Sequence, residues 1–258
     1  MTYILETRQV ATRRQVVSHR HARGLTRDLL RNVRDREPGF APLDRLLRTP
    51  LLACGSAQER QRIVTRLRGV LRQHSVVHQT RSLAHGSTAS GLRLTTARIP
   101  WADAGLEDLL MVQRARLHVT GTRLEVSNTA PATISHHAIS RMFERLATTH
   151  LGDAMGELEE GLRHLSDIFD SCDQPGIGRR VLQIALPTPQ GAFLGWRSRG
   201  SESFLLRTWV ATGGNPRIDH TQAAIKAWAA TPAADKLSTF RQMLSCRENH
   251  WLLQPHIA

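Results

Sequence analysis

The sequence predicts an α+β protein, in which helices and strands occupy separate runs of the chain. Apolar residues recur at helical spacing before residue 80 and again after residue 135. Short alternating or continuous apolar runs lie between them and again in residues 181–211. This order lacks the strict strand–helix alternation of a doubly wound fold. We expect a basic helical N-terminal region, a small antiparallel sheet packed against a His- and Arg-bearing helix, and C-terminal helices.

The first third of the chain is strongly basic. Residues 1–81 contain 17 arginines and six acidic residues, a net charge of +11, whereas the remaining residues contribute only +2. Arginine pairs with phosphate and carboxylate through two parallel hydrogen bonds, and basic segments bind nucleic acids. The charge therefore predicts an anionic partner. Nucleic acid is expected, with RNA favoured, and an acidic protein partner or inhibitor is the alternative.

Two helices are predicted in this basic region. The first has apolar residues at helical spacing, namely Leu25, Leu29, Leu30 and Val33, and Glu37-Pro38-Gly39 ends it. The second begins at Ser56, with Glu59 in the position of a capping box. The small polar residues from His85 to Gly91 indicate a linker. We therefore divide the chain into an Arg-rich helical region, 1–85, and an α+β domain, 86–258.

Strands are predicted on both sides of the central helices. Thr120-Gly121-Thr122 separates two apolar runs as a hairpin turn does. Three further strands are expected within residues 181–211. In the last of them, alternation assigns one face to Phe204, Leu206, Thr208 and Val210, and the opposite face to Leu205, Arg207 and Trp209.

The segment from Ile134 to Arg145 predicts a helix with a chemically distinctive face. Ser135 is a natural N-cap. His137, Arg141 and Arg145 are spaced four residues apart and share one helix face. The opposite face is apolar, with Ala138, Ile139, Met142, Phe143 and Leu146. A histidine with arginines above it at a helix start can hold a phosphate and transfer protons beside it.

RNA cleavage without a metal supplies a mechanism for these residue types. The neighbouring 2′-hydroxyl attacks the phosphorus, so the reaction needs a base, an acid and positive charge for the phosphorane. The predicted catalytic residues are His137, Arg141 and Thr208. The predicted substrate-binding residues are His136, Arg145 and Arg207. No metal or other cofactor is expected, because the remaining histidines lack ligand spacing.

The run Ser135-x-His137-Ala138-x-x-Arg141-Met142-x-x-Arg145 resembles the helix of bacterial toxin ribonucleases of the barnase/RelE superfold, including BrnT-like toxins. The resemblance covers about residues 130–212. It implies a His- and Arg-bearing helix on a small antiparallel sheet, and a later strand with a Lys/Arg-Thr step that Arg207-Thr208 matches. The chain departs from the pattern in its doubled histidine, its long extensions and its single tyrosine, Tyr3. No tyrosine is therefore available in this segment as the second acid or base.

Plain structural roles are the alternatives for these residues. A histidine at a helix start often bonds to backbone, Arg141 and Arg145 have Glu144 and Glu157 as possible partners, and Thr208 suits an ordinary strand. The function alternatives are a non-catalytic nucleic-acid-binding protein and a partner-binding component of a phage or toxin system. Three widely spaced cysteines without a C-x-x-C motif favour a reducing compartment, so a cytoplasmic protein is expected. No apolar run has transmembrane length.

Overall fold

The fold is mixed α+β, as the sequence predicts. The computed structural model describes residues 17–41, 44–45, 56–83, 86–101, 105–120, 123–172, 183–197, 201, 203–213, 215–232 and 234–245. The α-helices of these residues are α1 (His19–Arg36), α2 (Ala57–His74), α3 (His136–Leu146), α4 (Leu151–Cys172), α5 (Pro216–Ala229) and α6 (Lys236–Ser245). A 3₁₀ turn, Glu37–Phe40, follows α1 where Pro38 and Gly39 end the helix. The helices expected near the C-terminus are α5 and α6.

The described strands form one sheet that is larger than the small one expected. They are β1 (Val77–Leu83), β2 (Gly86–Trp101), β3 (Gly105–Thr120), β4 (Arg123–Ser135), β5 (Gln183–Pro187), β6 (Gly191–Trp196) and β7 (Phe204–Ala211). Their order in the sheet is β1-β2-β3-β4-β7-β6-β5. Every neighbouring pair is antiparallel except β4 and β7, which are parallel. The sheet is therefore mixed, not purely antiparallel.

The linker predicted at His85–Gly91 is wrong for residues 86–91, which begin strand β2. Their small side chains suit a crowded strand. A Cβ on Gly91 would lie 1.9 Å from Oγ of Ser75, and one on Gly86 would lie 1.9 Å from the carbonyl oxygen of Val119. Glycine is needed where backbone and neighbours approach so closely. A run of small polar residues therefore marks close packing here, not a flexible connection.

Two main apolar clusters lie on the sheet, besides a third one of Ala185, Ala192 and Ile218. The larger joins the sheet to α1, α3, α4, α5 and α6. The smaller joins α2 to β2, β3 and β4 through Val64, Leu67, Leu71, Ala89, Ala115, Leu117 and Leu124. The predicted boundary after residue 85 lies between β1 and β2, which pair from Val77↔Leu92 to Leu83↔Gly86. The Arg-rich region thus contributes a strand to the common sheet and α1 to the larger cluster.

The position of α3 follows from the short parallel pairing of β4 with β7. This pairing runs only from Ala132↔Phe204 to Ile134↔Leu206. Beyond it β4 ends and α3 packs beside β7. Oγ of Ser135 donates to the carbonyl oxygen of Arg207 at 3.2 Å, and Nη1 of Arg145 donates to that of Trp209. The helix thereby covers β7 carbonyls that β4 leaves without a strand partner.

Candidate nucleic-acid cleft between helices α1 and α3

An open cleft of about 520 Å³ lies where α1, the start of α3 and the start of β3 meet. Its lining residues are His19, Arg23, Arg27, Leu106, Glu107, Asp108, His136, His137 and Ser140. The two adjacent histidines of the predicted site therefore face a common space. The third histidine and both arginines of the lining come from α1, so the cleft joins the N-terminal region to the predicted ribonuclease-like segment.

Local sequence explains how α3 presents its two histidines. Oγ of Ser135 accepts a hydrogen bond from the backbone N–H of Ala138 at 3.1 Å, which confirms the predicted N-cap. Behind the cap, Ala138, Ile139, Met142 and Phe143 are fully buried. This apolar face fixes the rotation of the helix about its axis. His136 and His137 are consequently held at the cleft by the core on the other side of the helix.

His136 belongs to a chain of hydroxyl groups that crosses from α3 to α1. Its Nδ1 lies 3.3 Å from Oγ of Ser140, which lies 2.9 Å from Oγ1 of Thr26. Thr26 in turn donates to the carbonyl oxygen of Ala22 at 2.8 Å. Ser140 and Thr26 are buried, whereas the ring of His136 is half-buried. These bonds orient the imidazole from inside the protein.

His137 lies near Arg141 and Glu144, whose charges act on its pKa. Nη1 of Arg141 donates to Oε2 of Glu144 at 2.8 Å, and Nδ1 of His19 is hydrogen-bonded to Oε1 of the same carboxylate. Burial opposes the ionisation of Glu144, but the hydrogen bonds from His19 and Arg141 lower its pKa below the ordinary value. Glu144 is therefore an ionised carboxylate that joins α1 to α3 beside the cleft.

Both histidines of α3 have depressed pKa values. Burial, then the charges of Arg23 and Arg27, lowers the pKa of His136 below its ordinary value of 6.5, with Asp108 opposing the shift. Partial desolvation, then the charge of Arg141, lowers the pKa of His137, with Glu144 opposing. Both rings are accordingly neutral at pH 7. A neutral imidazole can accept a proton, as a general base must.

The arginines of α1 supply positive charge on the cleft wall. Arg23 and Arg27 are exposed, and among the described residues neither has a carboxylate at ion-pair distance. Glu107 and Asp108 of β3 form an acidic wall of the same cleft. The charge of Asp108 is partly neutralised, because this residue pairs with Arg98 at 2.8 Å and with Arg34 at 3.6 Å. The hydrogen bond from Arg98 also lowers the pKa of Asp108. The cleft therefore offers two guanidinium groups to an anion.

Thr208 is not among the residues that line the cleft. The pairing of β6 with β7 shifts register between Leu194↔Thr208 and Gly195↔Leu206, so that Arg207 is an extra residue in the strand. Phe204, Leu206 and Trp209 consequently share the face toward the larger core, which corrects the predicted alternation. Thr208 shares the face of its partner Leu194, which packs with Ile218 of α5. Thr208 therefore lies on the opposite face of β7 from Phe204 and Leu206, and it does not line the cleft with His137.

The remaining predicted residues have mixed placements. Arg141 is held by Glu144, one of the alternatives that the sequence left open, and Arg145 supports the β7 backbone. Arg207 is exposed, with its guanidinium carbon 5.2 Å from the ring centroid of Trp196, and its charge contributes to the lowered pKa of His137. The structure thus brings His136 and His137 to the cleft, places Arg207 near it, and uses Arg141 and Arg145 for internal contacts.

Sequence reasoning missed the α1 half of the cleft, although a signal for it exists. His19, Arg23 and Arg27 repeat the four-residue spacing of His137, Arg141 and Arg145. A serine also caps each helix, since Oγ of Ser18 accepts from the backbone N–H of His21 at 3.3 Å. A search for a second helix start with this pattern would have found them. Ser140 carried no comparable signal, because its role depends on Thr26 of another helix.

Among the described residues, no group of three His, Cys, Asp or Glu side chains is placed to hold a metal ion. No helix in that part of the chain is both long and apolar enough to cross a membrane. Comparison with protein-family models, with curated proteins and with solved structures found no match.

Proposed function

We propose that the chain binds RNA in the cleft between α1 and α3 and cleaves it without a metal, through attack of a 2′-hydroxyl on the adjacent phosphorus. The observation that supports this proposal is the grouping of His19, His136 and His137 with Arg23 and Arg27 around one open space. Base, acid and phosphate-binding groups are the components that the reaction requires. Such an RNA-cleaving protein would act in the cytoplasm, the compartment expected from its cysteines.

His136 is the proposed general base. Its lowered pKa keeps it neutral near pH 7, and its Nδ1 is already held by Ser140. Nε2 then takes the proton of the 2′-hydroxyl while the oxygen attacks phosphorus. His19, oriented through Nδ1 by Glu144, is the proposed acid that gives a proton to the departing 5′-oxygen. His137 remains a predicted catalytic residue, because it lines the same cleft.

Phosphate binding is assigned to α1. Arg23 and Arg27 hold the phosphate and stabilise the charge that develops on its oxygens. The start of α3 adds the positive end of a helix dipole on the opposite wall. Arg141 and Arg145, the arginines predicted from the motif, are assigned a supporting role and no contact with phosphate. Arg141 already bonds to Glu144, and Arg145 bonds to the backbone of β7.

Trp196 and Arg207 indicate unpaired RNA as the substrate. Trp196 is 44% exposed, although most large apolar side chains among the described residues are buried. Arg207 lies against this ring and close enough to His137 to lower its pKa. Aromatic and guanidinium surfaces stack with unpaired bases, which a duplex keeps inside its own stack. We therefore propose that a base beside the cleaved phosphate stacks at this pair.

Incubation with RNA in the presence of EDTA tests the proposal. The purified chain should cleave total RNA or tRNA and leave 2′,3′-cyclic phosphate ends, which end-group analysis detects. Single-stranded oligonucleotides should be cleaved faster than the same sequence in a duplex. A substrate with 2′-deoxyribose at the cleavage position is the matched control and should stay intact. Failure to cleave any RNA, or cleavage of the deoxy control, would contradict the mechanism.

Non-catalytic nucleic-acid binding is the second candidate, and α2 supports it. Arg62, Arg66 and Arg72 of this helix are exposed, on the side that does not join the smaller apolar cluster. A row of arginines can follow phosphates without any chemistry. Binding of uncleavable 2′-deoxy oligonucleotides tests it. The affinity should fall steeply between low and moderate salt, whereas a salt-independent affinity would argue against phosphate contacts.

A further inference from the structure

The hydroxyl chain behind His136 has only one consistent arrangement of hydrogens. Thr26 has a single hydroxyl hydrogen, and its bond to the carbonyl oxygen of Ala22 uses that hydrogen, because a carbonyl only accepts. In its contact with Ser140, Thr26 must therefore accept. The hydrogen of Ser140 is then used in turn, so Ser140 must accept from Nδ1 of His136. The proton of a neutral His136 consequently lies on Nδ1.

We propose that Thr26 and Ser140 are positioning residues that hold neutral His136 as its Nδ1–H tautomer and leave Nε2 as the proton acceptor in the cleft. The role of this acceptor rests on the proposed ribonuclease function, whereas the tautomer follows from the hydrogen bonds alone. Which ring nitrogen carries the proton is set by the bond that the other nitrogen makes. Deprotonation of the 2′-hydroxyl needs an unprotonated ring nitrogen that can reach the substrate.

The placement of Thr26 makes the proposal specific. Thr26 is fully buried and does not line the cleft, so it acts on a ligand only through Ser140 and His136. The charged and titratable groups that act on His136 are Arg23 and Arg27 of α1, Asp108 of β3 and His137 of α3. A change at Thr26 leaves all four in place. Any effect on the tautomer of His136 then reports the direction in which the hydroxyl groups donate their hydrogen bonds.

Thr26→Val tests the direction of hydrogen-bond donation between Thr26, Ser140 and His136. Without the threonine oxygen, Ser140 loses its acceptor and becomes free to donate to Nδ1, which favours the Nε2–H tautomer. Thr26→Ser is the matched control, because it keeps the hydroxyl. Ser140→Ala is the second variant, since it removes the acceptor of the Nδ1 proton from His136 itself. Long-range ¹H–¹⁵N spectra of the histidine rings at about pH 8, where imidazole is neutral, distinguish the tautomers.

The expected result is an Nδ1–H tautomer at His136 in the unaltered chain and in Thr26→Ser, with a shift toward Nε2–H in Thr26→Val and Ser140→Ala. The shift should be roughly tenfold in the tautomer ratio, the usual effect of one hydrogen bond on an equilibrium. An Nε2–H tautomer in the unaltered chain would overturn the proposal. So would a well-dispersed spectrum of Thr26→Val or Ser140→Ala in which His136 keeps the unaltered ratio.

Cleavage assays separate this inference from the proposed function. If both hold, kcat of Thr26→Val falls by roughly tenfold with little change in KM, because substrate contacts are unaltered. If the unaltered chain has the Nδ1–H tautomer but cleaves no RNA, the proposed function fails and the positioning by Thr26 and Ser140 stands. If RNA is cleaved and the tautomer is Nε2–H, the positioning fails and the function stands with a different base.

Discussion

Helices α1 and α3 begin in nearly the same way, yet the structure uses their basic residues differently. In each helix a serine cap precedes a histidine and two arginines that follow at four-residue intervals. On α3 these arginines bond to Glu144 and to the backbone of β7. On α1 the corresponding Arg23 and Arg27 line the cleft. The same spacing thus serves internal contacts in one helix and lines an open cleft in the other.

The difference comes from what lies beside each helix. The α3 helix packs beside β7, where backbone carbonyls lack a strand partner, and Arg145 of α3 donates to one of them. The α1 helix has more exposed residues than α3, and the side chain of His19 is 58% exposed. Its arginines meet solvent and the cleft. Spacing along a helix therefore indicates a shared face but does not indicate what that face contacts.

The largest expected effect is on chemistry at the α3 start. His136→Ala should lower kcat for RNA cleavage by roughly 100-fold or more, because a general base typically contributes that much. His21→Ala on α1 is the matched control, since His21 is exposed in a first helical turn and does not line the cleft. Cleavage rates under single-turnover conditions measure the effect. Equal rates for the two variants would remove His136 from the mechanism.

The second-largest effect is expected on RNA binding by Arg23 and Arg27 of α1. Arg23→Ala with Arg27→Ala should weaken binding of uncleavable RNA by about tenfold or more and lower the salt slope, because phosphate contacts release counterions. Arg20→Ala with Arg31→Ala removes the same charge from exposed positions of α1 outside the cleft lining. Titration at several salt concentrations compares them. Equally weakened binding would mean that only net charge matters.

The two serine caps should differ in their effect on stability. Ser135→Ala should lower the free energy of unfolding by about 1–2 kcal/mol, because the buried hydroxyl both caps α3 and donates to the carbonyl oxygen of Arg207. Ser18→Ala should cost about 0.5–1 kcal/mol, because its exposed cap makes one longer bond. Urea denaturation measures both values. A larger loss for Ser18→Ala would contradict this comparison of a buried cap with an exposed one.

The smallest effect is on the pH dependence of stability. Because the folded chain lowers the pKa of His136 and His137, the unfolded chain binds more protons below their ordinary value of 6.5. The free energy of unfolding should therefore fall as the pH drops from 7 through 6.5 toward the lowered values. His136→Gln with His137→Gln should reduce this fall in urea denaturation. His78 and His164, whose pKa values are lowered first by burial, would account for the rest.

Local patterns explain why so much of the architecture could be predicted. The apolar spacing of α1, the Ser56 cap of α2 and the Ser135 cap of α3 depend on neighbours within a few residues, and the structure confirms them. A strand over residues 204–210 was predicted and is present as β7, but its two faces were predicted wrongly. The register shift at Arg207 arises from pairing with β6, so alternation within one strand could not reveal it.

By itself the sequence determined the starts of α2 and α3, the paired histidines at the head of α3 and the concentration of arginine near the N-terminus. These features follow from helix capping, apolar periodicity and composition, which depend on residues close to one another in the sequence. Only the tertiary structure decided that α1 faces α3, that Thr208 shares the sheet face of Leu194, and that Thr26 bonds to Ser140, 114 residues away. Packing between distant segments selects these contacts, because each must satisfy buried polar groups that no local pattern specifies.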